Sequence, residues 1–335
     1  MPRTARLHAF GGPQHIQIDN LPDLEPAPGE VRFQVKAAGL ARDQFVFMAG
    51  DAFEGSDMPA TTLPARFGGE GAGVVDAVGE GVDPAWLGKR VAPLCPFDEE
   101  RYGMLAEQAL APVDLLAELP ESITFEQAAG LWMPYLTAYG IVMRGKVNHN
   151  DTVVVSAASS AVALAAIEMA KDADATVIGV IRTPGKADAV RQAGADHVIV
   201  NGDEDFVTRV TEITHGAGAT LTFDPIGGNF LARAAEAAAR RGRIVEYGIL
   251  AVEPGRYPQE YVIGKNLRID GWTMSEIVTD PDTLVSVRDY ILTRVADGRF
   301  RPRVARTFPL EQIQNAYAYI GSNQLIGRTI ITPTS

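Results

Sequence analysis

Over the first third of the chain, short apolar runs at 31–37, 73–78 and 90–93 are separated by turn signals such as Pro28-Gly29 and Gly79-Glu80-Gly81. Strand-length runs punctuated by proline and glycine predict a β-rich, barrel-like domain over residues 1–122. From about Thr124 to Gly271 the pattern changes. Apolar runs at 152–156, 176–181, 197–200, 220–223, 243–247 and 267–270 alternate with stretches of helical period. Six strands with helices between them predict a doubly wound parallel sheet over 123–271, an α/β domain. One of those helices is expected over 230–241, alanine-rich and stopped by Gly242. Beyond Trp272 come an amphipathic helix through 285–296 and β-like runs at 304–308 and 327–331. This tail, 272–335, is too small to stand alone and is expected to complete the first domain.

The first strand of the parallel sheet leads into the most informative segment, VVVSAASSAVALAAIEMA at 153–170. An apolar run, a turn of very small residues and an alanine-rich helix make the layout of a dinucleotide-binding βα turn. A pyrophosphate sits on a helix N-terminus only where the backbone comes close, so the turn must carry little side-chain bulk. Here Ala157, Ala158, Ser159, Ser160, Ala161, Val162 and Ala163 form it without any glycine. The residues added in place of glycine bring methyl or hydroxymethyl groups beside the phosphates, and Ser159 and Ser160 can compensate by hydrogen bonding to them. A buried βα corner with no ligand would have the same outline.

The second strand narrows the choice of ligand. About twenty residues past the turn, where an acid would accept a hydrogen bond from a ribose 2′-hydroxyl, the chain has Arg182, Thr183 and Lys186. Two cations and a hydroxyl suit a 2′-phosphate and leave a bare hydroxyl without an acceptor. NADPH is therefore the expected cofactor, against the alternative of a solvated loop with ordinary surface charges. Asn201, Asp224, Tyr247 and Gly248 stand at the carboxyl ends of the third, fourth and fifth strands, where open α/β sheets bind ligands.

Composition limits the partners. A net charge of −12 argues against nucleic acid and against anionic membrane surfaces. No apolar stretch has the length of a membrane span, and the N-terminus has no long apolar core, so a cytoplasmic protein acting on a small molecule is expected. The single cysteine, Cys95, excludes an intrachain disulfide and cysteine-based zinc clusters.

With these features in place the chain resembles the medium-chain dehydrogenase/reductase superfamily, in its zinc-free quinone oxidoreductase-like branch. The resemblance rests on FGGEGAGVVDAVGEGV at 67–82, GKRVAP at 88–93, LWMPYLTAYG at 131–140, the 151–171 segment, FDPIGG at 223–228 and IGRTII at 326–331. It implies a GroES-like β-barrel catalytic domain interrupted by a Rossmann domain, a cleft between them as the active site, and NAD(P)H-dependent reduction of quinones, enones or related carbonyl compounds. It also implies a homodimer formed by pairing sheet edges, with 267–270 as the last, short strand.

Zinc-dependent relatives carry a cysteine after the early Gly-Leu and a histidine before the glutamate of Gly-x-Glu. This chain has Ala41 and Gly69 there, and only Glu70 remains. Three protein ligands are needed for a catalytic zinc, so no metal is expected. By the resemblance Thr137 contacts the nicotinamide ribose and Tyr135 faces the substrate, although Tyr135 reads equally as a core aromatic with a satisfied hydroxyl. After Gly39-Leu40, where relatives often have Asn and Asp, stand Ala41, Arg42, Asp43 and Gln44. Asp43, Gln44 and Arg42 thus offer different polar groups to a substrate. Three functions fit: a metal-free NADPH-dependent quinone or enone reductase, a zinc-free carbonyl or alcohol oxidoreductase, and a noncatalytic nucleotide-binding member of the fold.

Overall fold

The computed structural model describes residues 1–50, 61–95, 98–251 and 253–333. In chain order its strands are β1 (Arg3–Leu7), β2 (Ile16–Asn20), β3 (Glu30–Leu40), β4 (Ala65–Arg66), β5 (Gly71–Val78), β6 (Arg90–Pro93), β7 (Gln108–Pro112) and β8 (Leu116–Glu118). There follow β9 (Thr152–Val155), β10 (Thr176–Ile181), β11 (His197–Val200), β12 (Ala219–Asp224), β13 (Ala238–Glu246) and β14 (Arg268–Gly271), then β15 (Val304–Pro309) and β16 (Arg328–Thr332). Contacts divide the chain into one unit of 1–133 with the segment from 302 onward, and another of 134–301.

In the first unit, β15-β16-β3-β5-β6-β8 form one sheet, with β7 also paired to β3, and β2-β1-β4 form a second. The long strand β3 is its spine. Val31, Phe33 and Val35 alternate inward to a core shared with Phe67, Val75, Met104, Tyr317 and Ile331, the period-two pattern of a strand with one buried face. Antiparallel pairing of Ile331 with Ala38 and Ile330 with Gly39 carries the C-terminal strand into this sheet.

The second unit is a six-stranded parallel sheet in the order β11-β10-β9-β12-β13-β14. That order reverses direction between β9 and β12, as in a dinucleotide-binding sheet. β9 is central and Val153, Val154 and Val155 are fully buried, which explains its unbroken apolar reading. The helix after β12 is shorter than its alanine content predicts. It spans Asn229–Ala237 and ends where Ala238 becomes extended and pairs with Ala219. Residues 238–241 are thus taken into β13, so the expected stop at Gly242 is replaced by Arg241 at φ 62° and a register shift in the β12–β13 pairing. Sheet pairing here overrides the high helix propensity of alanine.

Residues 272–301 also lie with the parallel sheet, not with the first unit. Trp272 Nε1 donates to the Thr137 carbonyl at 2.7 Å, and Arg294 and Arg299 in the following segment both pair with Asp172. At the other junction, the Met133 amide donates to Glu70, which ties residues up to 133 to the first unit. Among the described residues no helix is long and apolar enough to cross a membrane.

Candidate functional site

The carboxyl ends of β9, β10, β11, β12 and β13 gather most residues expected to meet a nucleotide. After β9, Ala157 adopts φ 46°, the left-handed region that costs an alanine about 1–2 kcal/mol. The turn thus takes the backbone path glycine favours without using glycine. Ser160 caps the helix Ala161–Asp172, its hydroxyl accepting from the Ala163 amide at 3.2 Å. By helix geometry the amides of Ala161 and Val162 have no intrahelical acceptor, and both residues are half-buried at the surface of the turn. Lys186 Nζ lies 3.4 Å from the Ser159 hydroxyl, which brings a cation onto the turn. Arg182 and Thr183 are exposed at the end of β10. Small side chains, outward amides and cations make a donor set that fits a dinucleotide phosphate.

On the other side of the switch point the Tyr247 ring stacks on Phe223 with centroids 4.1 Å apart. Its hydroxyl is buried beside that of Ser160 without a hydrogen bond of normal geometry. At Gly248 the backbone passes close to its neighbour: a Cβ there would stand 3.1 Å from the Pro225 carbonyl oxygen. Asn201 bridges strand ends, its amide donating to the Ile181 carbonyl and its side-chain oxygen accepting from Arg233.

Asp224 has a different role from a ligand contact. It is fully buried and accepts from the Ser156 hydroxyl and from the Ile226 and Gly227 amides. Burial pushes its carboxyl above the ordinary range, and these donors oppose the shift. It braces the loops after β9 and β12 from beneath. Glu246, which the sequence reading passed over, is half-buried nearby, its carboxyl raised by burial first and by Asp224 second. Its place as the last residue of an apolar strand is the only sequence signal it carries.

Tyr135 also departs from the substrate-facing expectation. It is 2% exposed, its hydroxyl donates to Glu168 Oε2 at 2.6 Å, and its ring packs on Phe300. The same carboxylate oxygen accepts from the Arg301 amide at 3.0 Å. This is the core-aromatic reading, with the phenol spent on a buried carboxylate. Tyr135→Phe is expected to lower stability by about 1–3 kcal/mol, since it strips a donor from a buried acid, and to leave turnover per folded molecule unchanged. Chemical denaturation beside steady-state kinetics checks both halves. Thr137 is half-buried on the same helix, Trp132–Ala138.

In the first unit, the segment after β3 is held by Gln44. Its side-chain oxygen accepts from the Ala41 amide and from the Tyr317 hydroxyl, both at 2.9 Å, and the residue is 5% exposed. Asp43 is exposed at the start of the helix Gln44–Ala49 and makes no capping bond there. Arg42 turns away, donating to the Ile320 carbonyl and the Asn323 side chain. Glu70 is fully buried, paired with Arg328, and accepts from the Met133 amide. Burial lifts its carboxyl above the usual range while Arg328 pulls it down. Glu99 is a residue that sequence reasoning missed. Its carboxyl accepts from the Gly68 amide at 2.6 Å and reaches the space beside Gly69.

These residues do not fit a zinc ion. Positions 41 and 69 are Ala and Gly, and the Glu70 carboxylate is committed to Arg328. Among the described residues no three His, Cys, Asp or Glu side chains converge as a metal site.

Comparison with known proteins agrees with this anatomy. Residues 27–121 match the alcohol dehydrogenase GroES-like domain family, and 161–287 match the zinc-binding dehydrogenase family. The second match covers neither position 41 nor position 69. The quinone oxidoreductase of Pseudomonas aeruginosa is 28% identical over 99% of this chain and 100% of its own length. A 2-haloacrylate reductase from Burkholderia is 28% identical over 99% of both. Among solved structures, Escherichia coli quinone oxidoreductase complexed with NADPH superposes with a TM-score of 0.87 at 27% identity, covering 99% of this chain and 100% of that one. An NAD-dependent alcohol dehydrogenase superposes with a TM-score of 0.89 at 30% identity, again over 99% and 100%.

Proposed function

The chain belongs to the medium-chain dehydrogenase/reductase superfamily, in its quinone oxidoreductase-like branch, and on that premise we propose that it is a cytoplasmic NADPH-dependent reductase. Its substrate in this reading is a quinone or an α,β-unsaturated carbonyl compound, reduced without a metal. The observation that carries it is the end of β10, where positions 182–187 supply Arg182, Thr183 and Lys186 and no acidic residue, with Lys186 reaching a small-residue turn.

The amides of Ala161 and Val162, with Ser159 and Ser160, hold the pyrophosphate, and Arg182, Thr183 and Lys186 hold the 2′-phosphate. Asn201, Tyr247 and Gly248 line the same edge, and Thr137 contacts the nicotinamide ribose. A bound reduced nicotinamide supplies hydride. An already activated double bond needs no Lewis acid to accept it, only donors for the developing oxyanion. Gln44, fixed by Ala41 and Tyr317, is the proposed polar contact to the substrate oxygen, with the charge of Asp43 beside it.

A second reading, a carbonyl or alcohol oxidoreductase, is favoured by the likeness to an NAD-dependent alcohol dehydrogenase. A panel of quinones and enones with NADPH, run beside primary and secondary alcohols with NADP, separates the two. Reduction of quinones or enones without alcohol oxidation supports the first, and alcohol oxidation alone supports the second.

We propose further that two copies pair through β14, which bonds on one side to β13 and is only four residues long. Light scattering at micromolar concentration should give twice the chain mass. A monomer mass rejects the pairing.

A further inference from the structure

In zinc-dependent relatives the residue at position 69 carries a metal ligand; here it is glycine, and the space its side chain would enter is already filled. A Cβ built on Gly69 would lie 2.9 Å from Glu99 Oε1. The neighbouring Gly68, at φ 100° and with Leu105 2.7 Å from its own Cβ position, has no room or backbone freedom for a side chain. That conformation aims its amide at Glu99 Oε2, 2.6 Å away. One oxygen of the carboxyl is therefore anchored by the backbone, and the other fills the space that a side chain at position 69 would enter. We propose that Glu99 is the proton donor of the reductase reaction, standing in the place of the lost metal ligand.

Its surroundings suit that task. Among the described residues no cation pairs with Glu99. Arg101, two residues on, forms a forked pair with Glu30, and Arg328 is taken by Glu70. The titratable groups on other elements that interact with it electrostatically are Asp43 at the start of the helix after β3, the buried Cys95 thiol after β6, and Tyr317 from the helix Ile313–Gly321. None supplies positive charge. Desolvation first, and Asp43 to a lesser extent, raise the Glu99 carboxyl to about 7, opposed by the Gly68 amide. A carboxylic acid that keeps its proton near neutral pH is matched to general acid work.

The step balances as follows, and it rests on the reductase reading above. Hydride delivered to the β-carbon of an enone places an electron pair on the conjugated carbonyl. The O–H bond of the Glu99 carboxyl breaks and its proton goes to the α-carbon, or to the phenolate oxygen of a quinone. The Glu99 carboxylate then takes a proton from water. The two electrons come from the reduced nicotinamide cofactor, which leaves oxidised.

Glu99→Gln keeps an oxygen to accept from the Gly68 amide, so the variant should fold and bind NADPH with wild-type affinity. Its kcat on an α-substituted enone should fall by about 10²-fold or more, the usual contribution of a positioned acid. The alkaline fall of the wild-type kcat profile near neutral pH should vanish. In Asp43→Asn, loss of a neighbouring negative charge should move that fall to lower pH. In deuterated water the wild type should give one diastereomer at the α-carbon and Glu99→Gln a mixture. Glu99→Asp, with an ionisable but shorter side chain, should recover part of the rate and a pH dependence. A wild type that reduces neither enones nor quinones overturns the reductase reading and this one with it. An active wild type matched by Glu99→Gln in rate, pH profile and stereochemistry overturns the assignment of Glu99 alone.

Discussion

NADPH is expected to bind at least tenfold more tightly than NADH, and the Arg182→Ala, Lys186→Ala double variant to erase most of that difference. A charge-assisted hydrogen bond is worth about 1.5–3 kcal/mol in a sheltered site. Arg182 is exposed and Lys186 only half-buried, so each contact is discounted toward about 1 kcal/mol by solvent screening. Two such contacts still exceed the roughly 1.4 kcal/mol that a tenfold ratio requires. Affinity for NADH should hardly change in the double variant, because the hydroxyl it carries in place of the phosphate has no charge to lose. The preference should also narrow as salt is raised, since exposed charges are screened within about 10 Å at 0.1 M ionic strength. Fluorescence titration with both nucleotides measures all three effects. Equal dissociation constants in the wild type would remove the basis for the NADPH assignment.

The largest stability effect is expected at Arg328. Arg328→Met leaves Glu70 fully buried without its cation, and breaking a buried pair from one side costs about 3–5 kcal/mol. The Met133 amide remains as a donor, yet one neutral hydrogen bond does not replace a guanidinium. Glu70→Gln combined with Arg328→Met should recover part of the loss, because no charge is then left buried. The pH dependence has a definite sign. Without Arg328 the Glu70 carboxyl is pushed further up by burial, so the folded state holds a proton that the unfolded state releases. The penalty is full above the folded-state value and shrinks as pH falls toward the unfolded value, so the gap between variant and wild type should narrow on acidification. Urea denaturation at neutral and mildly acidic pH reads both the size and the sign.

Much of the parallel sheet was legible because its central strands β9, β10 and β12 are buried almost throughout. The segments 176–181 and 197–200 have the same limits in sequence pattern and in structure. The barrel-like unit was harder to read. β1 mixes two arginines with buried Thr4, Ala5 and Leu7 over five residues, and β4 has only two residues, too little for a periodicity to register. The helix 230–241 was over-extended because alanine propensity is visible in the chain while the pairing of Ala238 with Ala219 is not.

The candidate site divides in the same way. Arg182, Thr183 and Lys186 follow the turn at the fixed strand-to-strand spacing of a dinucleotide-binding unit, so spacing brought them forward. The roles of Tyr135 and Asp224 depend on partners 33 and 68 residues away, Glu168 and Ser156; the sequence alone leaves Tyr135 equally substrate-facing or core and puts Asp224 at a ligand-binding strand end. Glu99 lies in a charged run, DEER at 98–101, and nothing in the sequence singles it out. What distinguishes it is a hydrogen bond to Gly68, 31 residues earlier, and no local pattern encodes that.

The central claim is hydride transfer from NADPH to an activated double bond by a protein that needs no metal. Its most direct test is the rate of NADPH oxidation with a quinone and with an enone, measured on the full chain before and after exhaustive chelation. Turnover that is unchanged by chelation, and unaffected when zinc is added back, is the predicted result. Activity lost on chelation and restored by zinc would contradict the account and require a ligand set other than Ala41, Gly69 and the Arg328-bound Glu70.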